Sequence, residues 1–153
     1  MTDDLLATFG IYAGTFVVCL VGGLLPLINT EVYLVGLTVL AVHDPAPLAL
    51  VVLMASLGQL VAKIILYYVG YGMFELPRGR FKAKIEAARG YAEKWRERPT
   101  WVVAISSTVG LPPLYLVSLV AGGIRMHLVR FVIVCLFGRI VHFAVVVAIA
   151  RLW

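Results

Sequence analysis

The sequence predicts an all-α integral membrane protein. Its plan is an inverted repeat of two re-entrant broken-helix hairpins, each followed by a spanning helix, plus an N-terminal spanning helix and a cytoplasmic amphipathic helix. Three observations predict it. Of 153 residues, 62% are hydrophobic and 14% charged, with a mean hydropathy of +1.00, too apolar for the surface of a soluble domain of this length. Two apolar runs are interrupted, one at Pro26 to Glu31 and one at Gly110, Leu111, Pro112 and Pro113. Proline removes backbone donors and lipid satisfies no orphaned backbone group, so each break must be buried in protein or line a wet cavity. Finally, each broken run precedes a long apolar run carrying a Gly, a polar residue and a basic one: Gly58, Gln59, Lys63, then Gly138, Arg139, His142. That is the pattern of repeats whose discontinuous helices meet near the midplane.

The length implies one domain over residues 1–153. Its N-terminus, MTDDLLATFG, is acidic where a secretory signal is basic, so residues 5–23 read as a retained spanning helix. Gly10 and Gly14 within it form a GxxxG pair that permits close approach of another helix, within the chain or in a homodimer. Residues 24–42, LLPLINTEVYLVGLTVLAV, form the first hairpin. Asn29 or Thr30 is suited to cap a half-helix, with Glu31 in its first turn where a carboxylate complements the dipole. About 12 residues at ~1.5 Å each reach only ~18 Å of a ~30 Å hydrocarbon core, which makes the segment re-entrant. His43, Asp44, Pro45, Ala46 and Pro47 read as a tight polar turn.

Residues 48–73 are long enough to span, with Ser56, Gln59, Lys63 and Tyr67 on one helical stripe. Lys63 lies near mid-depth, where a lysine costs about 2.5–3.5 kcal/mol to insert, so the stripe must face protein or water. Segment 78–98 concentrates Arg78, Arg80, Lys82, Lys84, Arg89, Lys94, Arg96 and Arg98. The positive-inside rule makes it cytoplasmic, a simpler reading beside spanning helices than nucleic-acid binding. Within it, residues 80–97 repeat Phe81, Ile85, Ala88, Ala92 and Trp95 at steps of four and three, an amphipathic helix suited to anionic headgroups. Residues 101–123 are the second hairpin, Arg125 to Arg130 an interfacial connector, and 128–153 the last spanning helix, with Cys135, Arg139 and His142 as its polar stripe and Arg151 and Trp153 at the far interface.

With the basic segment inside, the first hairpin hangs from the outer face and the second from the inner. Lys63 and Arg139 then lie at similar depth and would repel in low dielectric unless something negative stood between them. Glu31 neutralises one; an anionic ligand such as a phosphate headgroup would match the other, helped by the half-helix N-termini after Asn29 and Pro113. The competing structural account is that Glu31 pairs with Arg139, that burial partly deprotonates Lys63, and that these residues only hold the hairpins together. His142 has the ordinary role of satisfying a backbone carbonyl as its alternative. Asn29 and Gln59 complete the candidate substrate or ion site. Cys19 and Cys135 lack metal-ligand spacing, and no catalytic constellation, phosphate loop or cofactor motif is present, which argues against an enzyme.

Four stretches in order resemble the DedA, or VTT-domain, membrane proteins, most closely the short YqaA-like branch. They are LPLINTEVYL, ASLGQLVAKIILYYVGYG, GLPPLYLVSLVAGGIRM and FGRIVHF, and the resemblance covers roughly Leu24 to Phe143. It implies opposed re-entrant hairpins and movement of lipid headgroups across the bilayer: undecaprenyl phosphate or phosphatidylethanolamine in bacteria, coupled to proton or sodium gradients, and phospholipid scrambling in eukaryotic relatives. The family's acidic hairpin residue carries over to Glu31, and its terminal basic pair to Arg139 and, substituted, His142. Where larger members have an Arg after the first Pro of the second hairpin, this chain has Leu114 and Tyr115.

The function expected is therefore a lipid flippase or scramblase in the inner membrane of a prokaryote, with Glu31, Lys63 and Arg139 around a midplane headgroup site. Its partners would be lipids with anionic headgroups and a coupling proton or sodium. The alternatives are an ion-coupled exporter of small cationic or amphipathic molecules, against which the two mid-depth cations count, and a structural or assembly membrane protein.

Overall fold

A computed structural model describes residues 2–25, 27–73, 90 and 93–152. Among these the chain forms six helices and no strand: α1 (Thr2–Leu24), α2 (Thr30–Leu40), α3 (Pro45–Met73), α4 (Pro99–Val109), α5 (Leu114–Gly123) and α6 (Leu128–Leu152). Three are long and apolar enough to cross a membrane, over Leu5–Leu24, Pro45–Gly72 and Leu128–Leu152. The other three, of 11, 11 and 10 residues, are not. At ~1.5 Å per residue each reaches about half of a ~30 Å hydrocarbon core. The short element followed by a long one occurs twice in the described chain, as α2 before α3 and as α4 and α5 before α6.

Helix ends follow local chemistry. The turn expected over His43 to Pro47 is a correction: α3 begins at Pro45, so Pro45, Ala46 and Pro47 form its first turn, and the Leu48 N–H reaches the Asp44 carbonyl. Proline suits that place because the first-turn N–H groups have no partner inside a helix. Pro99 likewise opens α4 two residues before the expected start. The first broken segment also differs from its expected form. Its leading limb is the end of α1, and Leu25 and residues 27–29 separate it from α2. Pro26, Trp153 and most of the amphipathic segment expected at 80–97 lie outside the described residues.

The chain divides into two compact units, Met1–Ala62 with Arg139–Trp153, and Lys63–Gly138; both boundaries fall inside a helix, α3 and α6. In the first unit Cys19 of α1, Leu34 of α2, Val51, Val52 and Ala55 of α3, and Phe143 and Val147 of α6 form a buried core. Gly58 is where α3 crosses α1 closely, since a Cβ there would fall on the Phe16 carbonyl oxygen. Gly10 and Gly14 are different: a Cβ on either would meet nothing within 4 Å, so the GxxxG pair makes no close helix crossing among the described residues.

In the second unit α3 and α5 cross through reciprocal glycines. A Cβ on Gly70 would strike the Leu119 carbonyl, and one on Gly122 the Tyr67 carbonyl. Tyr67 packs on Phe131 of α6 with ring centroids 5.3 Å apart, and its hydroxyl donates to the Met126 carbonyl. Gly138 of α6 abuts Ser107 of α4, whose hydroxyl donates to the Ala104 carbonyl at 3.0 Å.

Outward faces carry apolar side chains. On α2, Val32, Val35 and Val39 are exposed while Thr30, Leu34 and Thr38 are buried, so the helix turns its valines out and its threonines in. Water would reverse that arrangement; hydrocarbon favours it. The buried Thr38 hydroxyl donates to the Leu34 carbonyl, as lipid-embedded hydroxyls must within their own helix.

Candidate functional site

The site is built on the first turn of α2. Asn29 sits at the N-cap in extended geometry (φ −81°, ψ 98°), and its side-chain oxygen accepts from the Glu31 N–H at 3.1 Å and the Val32 N–H at 3.3 Å. Two of the helix's orphan donors are thereby satisfied by one carbonyl. The cap fixes Thr30 and Glu31 as the first helical residues, and they diverge. Thr30 points in, and its hydroxyl oxygen accepts from Gln59 Nε2 at 3.3 Å. Glu31 points out, its side chain 50% exposed, and Oε1 lies 2.8 Å from Nε2 of His142, whose side chain is only 13% exposed.

That pair joins residues 111 apart in the sequence, and its geometry is that of a carboxylate holding an imidazole N–H. His142 also makes an edge contact with Phe143, ring centroids 5.6 Å apart. Three residues earlier on α6, Arg139 is 8% exposed and holds its guanidinium 5.6 Å from the centre of the Phe143 ring. Residues three apart share a helix face, so Arg139 and His142 form one basic stripe within the first compact unit.

The α3 stripe is buried throughout: Ser56, Gln59, Lys63 and Tyr67 are all less than a tenth exposed. Gln59, in the first unit, reaches the α2 tip directly, whereas Lys63 opens the second unit. The structure thus brings together Asn29, Glu31 and His142 on one side of the first turn, with Thr30 and Gln59 on the other.

The second tip is built differently. Gly110 ends α4 with φ 85°, a left-handed conformation that glycine adopts at no steric cost, and its N–H returns to the Ser106 carbonyl at 2.9 Å. Leu111 is exposed, the Leu111–Pro112 bond is cis, and Pro113 caps α5 through its backbone at φ −55° without a side-chain bond. Ser106 ties the turn back to α4 by donating to the Pro112 carbonyl. The tip itself, residues 110–113, contains no ionisable side chain.

Compared with known families, residues 25–152 match the VTT domain, a span that takes in both tips, α3 and α6. This chain belongs to the VTT-domain family. The match begins one residue after α1 ends, so Asn29, Thr30, Glu31, Gln59, Arg139 and His142 all lie inside the VTT domain. No curated protein and no solved structure matches the chain. Family membership and three helices of spanning length make it an integral membrane protein of a family associated with membrane transport.

Sequence reasoning named both halves of the Glu31–His142 pair without pairing them, because only the fold brings α6 against α2. It missed the adjacent glycines Gly22 and Gly23 at the end of α1. A Cβ on Gly22 would meet Thr30 Cγ2 at 2.6 Å, and one on Gly23 would meet Gln59 Oε1 at 3.1 Å. The signal was present as two consecutive glycines at the end of an apolar helix, just before the break.

Proposed function

We propose that this VTT-domain protein moves lipid headgroups across the bilayer as a flippase or scramblase, with the tip of α2 as the headgroup-handling element. The observation that carries the proposal is the half-exposed Glu31 carboxylate held at 2.8 Å by the mostly buried His142. A carboxylate exposed on an otherwise apolar chain requires water or headgroups beside it, since hydrocarbon does not solvate the charge. A carboxylate and an imidazole in contact are also matched to a headgroup bearing both phosphate and amine. Opening of the pair lets His142, with Arg139 on the same stripe, take the phosphate while Glu31 takes the amine. The α2 N-terminus adds a positive dipole end at the same place.

The reading includes an inner-membrane location in a prokaryote, segment 78–98 in the cytoplasm, a proton or sodium ion as coupling partner, and no covalent chemistry. Re-entrance of the two tips is supported by the shortness of α2, α4 and α5 and by the exposed apolar faces of α2. For an inverted repeat, a Cys introduced at Asn29 is expected to react with a membrane-impermeant maleimide from outside and one at Leu111 from inside. Reaction of both from one face discards that arrangement.

Reconstitution tests the function. Liposomes carrying fluorescent phosphatidylethanolamine or a labelled polyprenyl phosphate are expected to expose the inner-leaflet label faster with the protein than without it. An absence of headgroup transfer, together with uptake of a cationic dye, replaces the proposal with the small-cation exporter.

A further inference from the structure

We infer that Gln59 is a positioning residue that holds the α2 tip, and with it Glu31, through Thr30. The inference rests on the reading of Glu31 as the headgroup-handling group, and it assigns Gln59 to holding that group rather than to touching the lipid. Gln59 is 3% exposed in the middle of an apolar helix, and its amide makes a hydrogen bond to Thr30 Oγ1 at 3.3 Å. Its Oε1 has no hydrogen-bond partner among the described residues. A methionine would fill the same volume with no amide to desolvate, so what the glutamine adds at this buried position is its bond to Thr30.

The surroundings are shaped around that bond. Gly22 and Gly23 leave the room that the Thr30 methyl and the Gln59 amide occupy, since a Cβ on either would press on them, and Ala62 borders the same space. The Asn29 cap bonds only within α2, so it orders the first turn without fixing where that turn sits. Position comes from three tertiary bonds: His142 to Glu31 from α6, Gln59 to Thr30 from α3, and the Tyr33 hydroxyl with that of Thr15 from α1 at 3.1 Å. Thr30 and Glu31 are consecutive, so movement of one carries the other. When Glu31 releases His142, the Tyr33–Thr15 and Gln59–Thr30 bonds remain, and of the two the Gln59 bond is the one made at the residue next to Glu31.

The experiment reads tip position separately from transport. In the full chain in membranes, the double variant Glu31→Cys/His142→Cys is oxidised with a copper–phenanthroline catalyst and the rate of disulfide formation is measured. Adding Gln59→Met or Thr30→Val, both close in volume to the original residue, is expected to slow cross-linking about three- to tenfold, the worth of one net hydrogen bond. Combining the two should slow it no further than either alone. Thr30→Ser, which keeps the hydroxyl, should restore the rate. An unchanged rate in Gln59→Met, or additive losses in the combined variant, overturns the inference. In otherwise unaltered protein, Gln59→Met should lower headgroup transfer by a similar factor. Cross-linking as expected with no headgroup transfer by the unaltered protein would refute the transport reading and leave Gln59 without a headgroup group to position, which also overturns the inference as stated.

Discussion

Replacing Glu31 with Gln is expected to lower the initial rate of headgroup transfer in reconstituted liposomes by tenfold or more, in protein that remains folded. The amide keeps the size of the carboxylate and a hydrogen-bonding oxygen for His142, so the contact at the tip survives in shape and loses its charge. A hydrogen bond to a charged group contributes about 1.5–3 kcal/mol, which corresponds to roughly 10- to 150-fold in rate when it acts in the step that limits transfer. Its contribution to folding is smaller. Glu31 is half exposed, and exposed ion pairs contribute about 0–1 kcal/mol. Transfer rates and a thermal melt in detergent, measured on one preparation, separate the two roles. Transfer at the unaltered rate would remove Glu31 from the mechanism, and parallel loss of melting temperature and transfer would favour the assembly-protein alternative.

The second large effect is on stability. Gly122→Ala is expected to lower the melting temperature by several degrees and to reduce the yield of monodisperse protein. The added Cβ falls on the Tyr67 backbone carbonyl, and no rotamer change can clear a backbone atom. Overpacking of a well-packed contact costs about 1–3 kcal/mol, occasionally more, and the rigid obstacle puts this site at the upper end. At about 2–4 °C per kcal/mol for a chain of this size, the expected loss is roughly 6–12 °C. Gly70→Ala should behave alike, since its Cβ meets the Leu119 carbonyl in the same crossing. Gly72→Ala is the control: its Cβ meets nothing within 4 Å among the described residues, and alanine is the better helix former by about 1 kcal/mol. Equal melting of Gly122→Ala and Gly72→Ala would show that α3 and α5 do not approach as described.

Much of the fold was legible because lipid makes sequence rules strict. Where backbone groups must be satisfied within the chain, apolar length marks the spanning helices and proline marks the breaks, so α1, α3 and α6 and the two interruptions could be read directly. The cap at Asn29 was equally local, since it depends on a side chain and the next three residues. Burial of Lys63 and Arg139 followed from the cost of a charge in hydrocarbon. Local reading erred where one residue type serves two structures: Pro45 and Pro47 suit a turn and the first turn of a helix alike, and continuation into α3 decides between them.

By itself, then, the sequence determined which segments are long and apolar enough to cross, where the apolar runs break, and that Lys63 and Arg139 are buried, because each depends on the composition of one short stretch at a time. Which polar residue meets which was decided only by the tertiary structure. Glu31 has His142 as its partner, and Gln59 has Thr30, because α6 and α3 pack against α2 within one compact unit. Gly22 and Gly23 matter for the same reason, whereas a Cβ on Gly10 or Gly14 would meet nothing within 4 Å among the described residues. A helix surface offers several faces of similar composition, and the choice among them is made by the fit of side chains contributed from far along the chain.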